Sequence, residues 1–263
     1  MRARDINTPD PTTGLRPEPT VGSVTQFEST GRSARDSLTV NIGYAIPQRQ
    51  MNLGLNYTLA QFKNHADNAT QLPVDSYHPD AEWGPSAQDI RHRLQANLFL
   101  PPLFGVRVSL NGLVYQSAAP YNITTGRDDN GDLVINDRPL DASGTLLSRN
   151  SARGSARWGD MGMRIARGFS FGVGANGAAG QAGGLPVASL AQGPGGGGRR
   201  GGGGGGGQQG SGRFNVELFA QADNVLNRVN FTNYAGTMTS RFFGQPTASS
   251  QARRVQVGFQ FRF

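Results

Sequence analysis

The chain has 263 residues and no cysteine, so disulfide bonds and thiol catalysis are excluded. Its formal net charge is +7, but every basic residue except Lys63 is an arginine. These arginines are scattered along the sequence instead of forming a basic patch, so we expect no nucleic-acid partner. No apolar run reaches the ~18 residues that a membrane-spanning helix needs.

Apolar and polar residues alternate in seven segments, with the period of two that is typical of β-strands. We expect a weaker eighth strand near Ser23–Ser29. The apolar positions of the seven segments begin and end at Leu38–Ile46, Met51–Leu59, Leu94–Leu100, Val106–Val114, Met161–Ile165, Phe214–Ala222 and Val255–Phe263.

The last segment alternates most completely. Its apolar residues are Val255, Val257, Phe259, Phe261 and Phe263, and its other face is formed by Arg254, Gln256, Gly258, Gln260 and Arg262. One wholly apolar face and one polar face are typical of a strand that has lipid on one side and water on the other.

Charged residues are confined to the polar face of these segments. An Arg or Lys on a lipid-facing surface costs roughly 2–4 kcal/mol at the membrane midplane, so this separation favours a transmembrane barrel with a hydrated interior. The charged positions are Arg93, Arg107, Asp160, Arg164, Glu217, Arg254 and Arg262.

Short and long connections alternate along the chain. Pro47–Gln50 and Pro101–Gly105 are short, whereas Lys63–Arg91, Ser117–Arg157 and Asp223–Arg253 are long. Outer-membrane barrels have short periplasmic turns and long extracellular loops. The sequence therefore predicts an all-β fold in the cell outer membrane, an antiparallel transmembrane β-barrel segment of about seven or eight strands with long extracellular loops.

The connection Gly172–Gly212 breaks this alternation, because it is long where a short periplasmic turn is expected. It contains the glycine runs Gly195–Gly198 and Gly201–Gly207. Only Arg199 and Arg200 interrupt the glycines, so we interpret the segment as a low-complexity insertion and not as an RNA-binding Arg/Gly region.

Eight further segments carry a resemblance to a known family. They are Pro120–Asp132 (PYNITTGRDDNGD), Asn136–Pro139 (NDRP), Arg149–Ser151 (RNS), Asp160–Ile165 (DMGMRI), Glu217–Asn227 (ELFAQADNVLN), Asn230–Phe231 (NF), Phe243–Gln245 (FGQ) and Arg253–Gly258 (RRVQVG). In order and spacing they resemble the C-terminal part of TonB-dependent receptors. The similarity is greatest to the Oar-like group, whose members often have an N-terminal carboxypeptidase-regulatory-like domain.

The resemblance implies that residues 1–263 form the C-terminal part of a 22-stranded receptor barrel, which imports a scarce nutrient with energy from TonB. No segment resembles the plug domain or the TonB box of the family, so TonB and the plug would be partners only in a full-length receptor. The nutrient is unknown. Residues 1–10 lack the apolar core of an export signal, so a barrel requires further sequence upstream.

The resemblance also implies two kinds of partner for the last strand. Its outward side chains would contact outer-membrane lipid. Phe259, Phe261 and Phe263 match the closing signal that the barrel-assembly machinery reads in this family.

One acidic segment resembles a calcium loop. Asp128, Asn130 and Asp132 match the first three ligand positions of an EF-hand, but Leu133 stands at the glycine position and Pro139 at the final glutamate position. An EF-hand is therefore excluded. A looser calcium site and a tight Asn-Gly turn are the two remaining interpretations.

Other chemistry finds little support in the sequence. His65 and His78 share an acidic loop, but their spacing matches no zinc motif. The chain has no G-x-S-x-G, H-E-x-x-H or P-loop motif, so we expect neither an enzyme nor a cofactor. Trp83 and Trp158 lie in or beside long loops, where tryptophan commonly anchors a protein at the membrane interface.

Two alternative interpretations of the strand pattern stay open. The chain could form a stand-alone eight-stranded outer-membrane barrel that serves as an anchor or adhesin. It could also form a soluble secreted β-sandwich that binds a partner through its loops. The two barrel interpretations require detergent for solubility, whereas the sandwich does not.

Overall fold

The computed structural model describes residues 1–173 and 212–263, which contain fourteen strands and two 3-10 turns. None of the helical segments in these two ranges is long or apolar enough to cross a membrane. The strands are β1 (Arg2–Asp5), β2 (Thr25–Glu28), β3 (Ser33–Ile46), β4 (Met51–Asn64), β5 (Gly84–Pro85), β6 (His92–Phe99), β7 (Val106–Gln116), β8 (Pro120–Tyr121), β9 (Ala152–Arg153), β10 (Arg157–Val173), β11 (Gly212–Asp223), β12 (Phe231–Tyr234), β13 (Pro246–Ser249) and β14 (Arg254–Arg262).

Seven long strands form one antiparallel sheet in the order β14-β11-β10-β7-β6-β4-β3. The short strand β5 pairs with the end of β4. All seven strands predicted from the alternating pattern are present, and the predicted all-β fold is confirmed. The tight turns after β3 and β6 lie at one end of the sheet, and the connections 65–91, 117–156 and 224–253 lie at the other.

The register places the apolar residues of neighbouring strands in common rows. One row runs through five strands as Val40, Tyr57, Leu94, Tyr115 and Trp158. A second row, nearer the tight turns, runs through all seven strands as Tyr44, Leu53, Leu98, Leu110, Met163, Ala222 and Val255. Because directly paired residues point to the same side of a sheet, these rows form one apolar face.

The apolar face is open at its edge strands, where no described part of the chain covers it. Val257 is 82% exposed and Phe259 is 74% exposed. An exposed apolar surface of this extent is incompatible with a water-facing wall and suits contact with lipid.

The opposite face is polar and contains an ion network. Arg107 donates from Nη2 to Oε2 of Glu217 at 2.7 Å, and Arg164 pairs with the other oxygen of the same carboxylate. The Arg164 guanidinium also lies 4.2 Å from the centre of the Phe219 ring. The predicted separation of charged and apolar faces is therefore present in these strands.

The structure corrects the predicted pattern at the end of β7. A bulge interrupts the pairing between β6 and β7, so that Leu113 pairs with Gln95 but Tyr115 pairs with Leu94. Tyr115, and not Val114, continues the apolar face, and its ring lies 4.3 Å from that of Trp158. Gly112 precedes the bulge with a φ of 140°, where a Cβ would lie 2.6 Å from the Asp160 carbonyl oxygen.

Three charged residues of the paired strands are in register with the apolar face, all beyond the predicted apolar positions: Asp36, Lys63 and Arg167. Arg167 pairs with Val106 and Leu218, beyond the predicted apolar positions of β10. Its guanidinium lies 5.1 Å from the centre of the Phe169 ring, close to the tight turn before β7. A long basic side chain at this level can extend its charge toward the membrane surface while its stem stays in apolar surroundings.

Two further predictions concern segments outside the main sheet. The weak eighth strand forms at Thr25–Glu28, but it pairs with Arg2–Asp5 in a separate two-stranded sheet. This sheet contacts the first long loop, where Arg2 donates from Nη1 to Oδ1 of Asp80 at 2.9 Å. Most of the predicted glycine-rich insertion Gly172–Gly212 lies outside the described residues. Its outermost positions belong to β10 and β11, since Val173 pairs with Gly212.

Candidate ligand-binding cavity in the long loops

The long loops and the first 32 residues pack together at one end of the sheet. The strands β8 and β9 pair within the second long loop, and β12 and β13 pair within the third. Thr124 of the second loop forms an isolated parallel bridge with Thr237 of the third. Hydrogen bonds between loops therefore hold them in one defined arrangement.

Arg149 is the central residue of this arrangement, and its side chain is 0% exposed. It donates from Nη1 to Oδ2 of Asp67 at 2.6 Å and from Nη2 to the carbonyl oxygen of Asn64 at 2.6 Å. Its Nε donates to the carbonyl oxygen of Glu82 at 3.3 Å. Burial lowers the pKa of this guanidinium, and the charges of Asp67 and Glu82 oppose that effect.

Asp67 receives hydrogen bonds from several groups in addition to Arg149. Asn150 donates to it from Nδ2 at 2.7 Å, Ser86 from Oγ at 2.9 Å and the Ala87 amide at 2.8 Å. Burial raises the pKa of Asp67, but these hydrogen bonds and the Arg149 charge outweigh it, so the net pKa is lowered. The carboxylate stays charged at neutral pH and holds the first and second loops together.

A second buried ion pair lies beside the first. Arg138 donates from Nη1 to Oε2 of Glu82 at 2.7 Å, and the two side chains are 1% and 6% exposed. The Nε and Nη2 of Arg138 are enclosed by protein atoms and have no hydrogen-bond partner in the described part of the chain. Glu82 also accepts from the Val74 amide at 3.2 Å.

A cavity of about 710 Å³ lies where the N-terminal segment and all three long loops meet. This volume is within the range of small-molecule sites in proteins, which is roughly 300–1,000 Å³. The walls combine apolar side chains with several carboxylates. The residues that line the cavity include Thr8, Val74, Tyr77, Asp132, Asp137, Leu140, Leu146 and Met238.

Two of the wall carboxylates, Asp132 and Asp137, are nearly buried, with 6% and 3% exposure. Burial raises the pKa of both. Repulsion from Asp137 and Asp128 raises the pKa of Asp132 further, and repulsion from Asp128 and Asp129 does the same for Asp137. Neither Asp132 nor Asp137 forms an ion pair with a described basic residue.

The predicted calcium loop folds as a turn next to this cavity. Asp128 accepts hydrogen bonds from the amides of Gly131, Asp132 and Leu133 at 2.8, 3.1 and 2.9 Å. The Asn130 side chain donates from Nδ2 to the carbonyl oxygen of Val74 at 2.7 Å. Across the described ranges no three His, Cys, Asp or Glu side chains are grouped closely enough to hold a metal ion. The calcium site of Asp128, Asn130 and Asp132 therefore stays a prediction.

The two loop histidines have separate partners. His65 is buried, its Nδ1 accepts from the Arg32 amide at 3.0 Å, and its ring centre lies 5.0 Å from that of Trp83. Burial first, and then the Arg2 charge, lowers its pKa. His78 instead contacts Oδ2 of Asp75 through Nδ1 at 2.7 Å. These contacts account for both residues as structural parts of the loop.

Sequence reasoning did not identify Glu82, Asp137, Arg138 and Arg149 as a connected group. Asp137 and Arg138 lie in the NDRP segment that carries the family resemblance, but a resemblance gives no spatial contact. The partners of Arg149 lie more than 60 residues away in the sequence, at Asn64, Asp67 and Glu82. No local pattern relates such distant positions.

The terminal phenylalanines lie on the apolar face at the tight-turn end of the sheet. Phe171, Phe214, Phe261 and Phe263 form successive ring contacts at 6.1, 6.0 and 5.9 Å between centres. Such a band of aromatic rings is typical of a membrane interface. Recognition of Phe259, Phe261 and Phe263 by the barrel-assembly machinery stays a prediction.

The family of this chain follows from a comparison with protein-family models. The model of the outer membrane beta barrel domain matches residues 1–256. No curated protein and no solved structure matches the chain. The family match excludes the soluble β-sandwich and places the protein in the outer membrane, in agreement with the open apolar face of its sheet. The chain belongs to the outer membrane beta barrel domain family.

Proposed function

We propose that this chain is the C-terminal arc of a TonB-dependent receptor of the Oar-like group, and that it takes part in uptake of a small nutrient across the outer membrane. The sequence segments described above support the identity of the receptor group. The cavity between the long loops supports a role in ligand capture. No catalytic step and no cofactor are part of the proposal.

The observation that carries the proposal is the direction of the two edge strands. Seven strands alternate in direction, so β3 and β14 both run toward the tight-turn end of the sheet. Direct pairing between them would be parallel, whereas bacterial single-chain outer-membrane barrels close with an even number of antiparallel strands. The sheet therefore needs additional strands for closure, which supports an arc of a larger barrel.

The same observation disfavours a stand-alone eight-stranded anchor or adhesin. The segment that would supply its eighth strand, Thr25–Glu28, is paired with Arg2–Asp5 among the loops. No other described segment is free to cross beside β3. A larger receptor barrel explains better why both edge strands, β3 and β14, lack a second neighbouring strand among the described residues.

In the proposed mechanism the long loops are extracellular and capture the ligand in their cavity. A plug domain inside the complete barrel then moves when TonB pulls on it, and the ligand passes along the polar face. Arg107, Arg164 and Glu217 would be among the wall residues that face the plug. Lipid would contact the apolar face, and the barrel-assembly machinery would read the last strand.

The proposal is tested by measuring which nutrients cells remove from a defined mixture. Cells with and without the gene are compared, each with and without a protonophore that collapses the energy supply of TonB. We expect at least one small solute to be removed only by energised cells that have the gene. If every solute is removed equally without the gene or without energy, the uptake function is wrong.

A further inference from the structure

Among the described residues that line the cavity in the long loops, acidic groups outnumber basic ones. The charged wall residues are Asp75, Arg127, Asp129, Asp132, Asp137 and Arg138. Most of them are already paired. Asp75 contacts His78 at 2.7 Å, Asp129 contacts Arg127 at 3.3 Å, and Arg138 contacts Glu82 at 2.7 Å. Asp132 and Asp137 are left without a basic partner in the described part of the chain.

Of these two carboxylates, Asp137 gives the clearer evidence of an oxygen that is available to a ligand. Its Oδ2 accepts hydrogen bonds from the amides of Asp129 and Asn130 at 2.7 and 3.4 Å. Its Oδ1 accepts none from the described residues, although the residue is only 3% exposed and lines the cavity. Because Oδ1 is not among the fully enclosed atoms, it is open to the cavity, where a hydrogen-bond donor or a cation can bind it.

Arg138 does not supply that interaction. Its Nη1 is bound to Glu82, and its remaining nitrogens are enclosed by protein atoms. The electrostatic character of the open cavity is therefore set by the carboxylates. An anionic ligand would meet two uncompensated negative charges there.

The remaining walls are mostly apolar, with the neutral polar residues Ser76, Thr125, Asn130 and Thr239 between the apolar ones. Val74 is buried, Leu146 is partly exposed, and Leu140 and Met238 are 66% and 48% exposed. The Tyr77 hydroxyl, which would otherwise offer a donor, is bound to the carbonyl oxygen of Thr8 at 2.9 Å. A ligand that fills this space therefore needs apolar surface in addition to its charged group.

We infer that the cavity binds an organic cation, a primary amine or guanidinium on an apolar body, with the positive group at Asp137 and Asp132. A bare metal ion fits less well, because the described residues hold no group of three metal-binding side chains. An ammonium or guanidinium group can instead bind two carboxylates through hydrogen bonds from one planar or tetrahedral centre. The inference rests on the proposed ligand capture by the loops and names its ligand class.

The test uses outer-membrane preparations that contain the full protein and three labelled probes with the same apolar tripeptide body. The cationic probe is a tripeptide amide with a free amino terminus, the neutral probe is its N-acetylated form, and the anionic probe is the acetylated free acid. We expect the cationic probe to bind at least about tenfold more tightly than the neutral one, and the anionic probe to bind most weakly. Equal binding of all three, or preference for the anionic probe, would overturn the inference.

Variants then locate the site. Asp137→Asn keeps an oxygen for the two amide hydrogen bonds but removes the charge, and we expect about a tenfold loss of cation binding. Asp132→Asn should also weaken binding of the cationic probe. Asp141→Asn is the matched control, since Asp141 lies in the same loop but outside the cavity lining, and should bind like the parent. Unchanged binding in both cavity variants would contradict the inference.

Leu146→Trp provides a second check that does not depend on charge. The larger side chain fills part of the cavity and should weaken the cationic and neutral probes alike. Cation binding without energy-dependent uptake would uphold this inference while contradicting the proposed transport. Energy-dependent uptake by cells whose protein shows no preference for the cationic probe would contradict this inference and uphold the proposed transport.

Discussion

At the scale of single residues, the loops depend on charges that are taken out of water and paired. Arg149 has no exposed side-chain surface and links Asn64, Asp67 and Glu82. Loss of one member of such a buried pair leaves the other charge without compensation. This loss lowers the free energy of unfolding by more than the intact pair contributes to it. The arrangement of the loops should therefore be sensitive to this one side chain.

We predict that Arg149→Leu destabilises the folded loops by about 3 kcal/mol. Limited proteolysis of the protein in outer membranes, at increasing urea concentration, measures the change in the free energy of loop opening. Arg127→Leu is the control, because the Arg127 side chain is 70% exposed and its pair with Asp129 should contribute less than about 1 kcal/mol. Equal protease resistance of the Arg149 variant and the parent would refute the prediction.

The cavity carboxylates predict a pH dependence with a defined sign. Burial raises the pKa of Asp132 and Asp137 in the folded loops, so the folded state holds protons that the unfolded state releases. Their unfavourable effect on stability is absent below the unfolded pKa and appears as the pH rises through the raised folded pKa. Cation binding should strengthen over the same window, because the carboxylates become charged.

Asp137→Asn should therefore have two opposite effects at neutral pH. It should make the loops more stable by removing an uncompensated buried charge, and it should weaken binding of the cationic tripeptide. Urea-dependent proteolysis and probe binding, measured on the same preparation across this pH window, separate the two. A variant that is less stable than the parent at neutral pH would show that the charge is compensated in the folded loops.

At the scale of the strands, the two faces of β14 predict different responses to the same substitution. Val257 lies on the open apolar face at 82% exposure, whereas Gln260 lies on the polar face opposite Glu217. Val257→Arg should cost roughly 2–4 kcal/mol near the membrane midplane. Gln260→Arg should be close to neutral, because its new charge faces the hydrated polar side of the sheet.

The measurement for this pair is the amount of folded protein in the outer membrane and its resistance to urea. We expect both to fall for Val257→Arg and to stay near the parental level for Gln260→Arg. Comparable losses in the two variants would indicate that both faces of β14 are covered by protein. The outward face would then not be a lipid-contacting surface.

The strands were predictable because each of them obeys a local rule. In β4 and β14 every second residue is apolar over most of the length, and neighbouring strands repeat the pattern. The bulge at the end of β7 was not predictable, because a bulge depends on the register of two partner strands and leaves only a weak trace at Gly112. Likewise the strand near Thr25–Glu28 was predicted only weakly, and its partner is set by the fold of the N-terminal segment.

At the scale of the whole molecule, the position of the cavity could be predicted only in part. The long loops and their acidic content are visible in the sequence. The contacts among Asp67, Glu82, Arg138 and Arg149 join positions far apart along the chain and need the sheet to bring the loops together. The charge balance around Asp137 follows from these contacts and not from any local motif.

The central claim at this scale is that the sheet is an arc whose two edges do not meet. The chain lacks cysteine, so pairs of introduced cysteines report on proximity without background. Each of three positions on β3, Val40, Ile42 and Tyr44, would be combined with Val255, Val257 or Phe259 on β14. Ile42 with Leu55, and Leu218 with Phe259, are the positive controls because they are paired within the sheet.

Disulfide formation in the outer membrane, measured by gel mobility before and after reduction, is the most direct test. The account predicts that both control pairs form a disulfide within one chain and that no β3–β14 pair does. An intramolecular disulfide between β3 and β14 in any combination would contradict it, because the seven strands would then close on themselves.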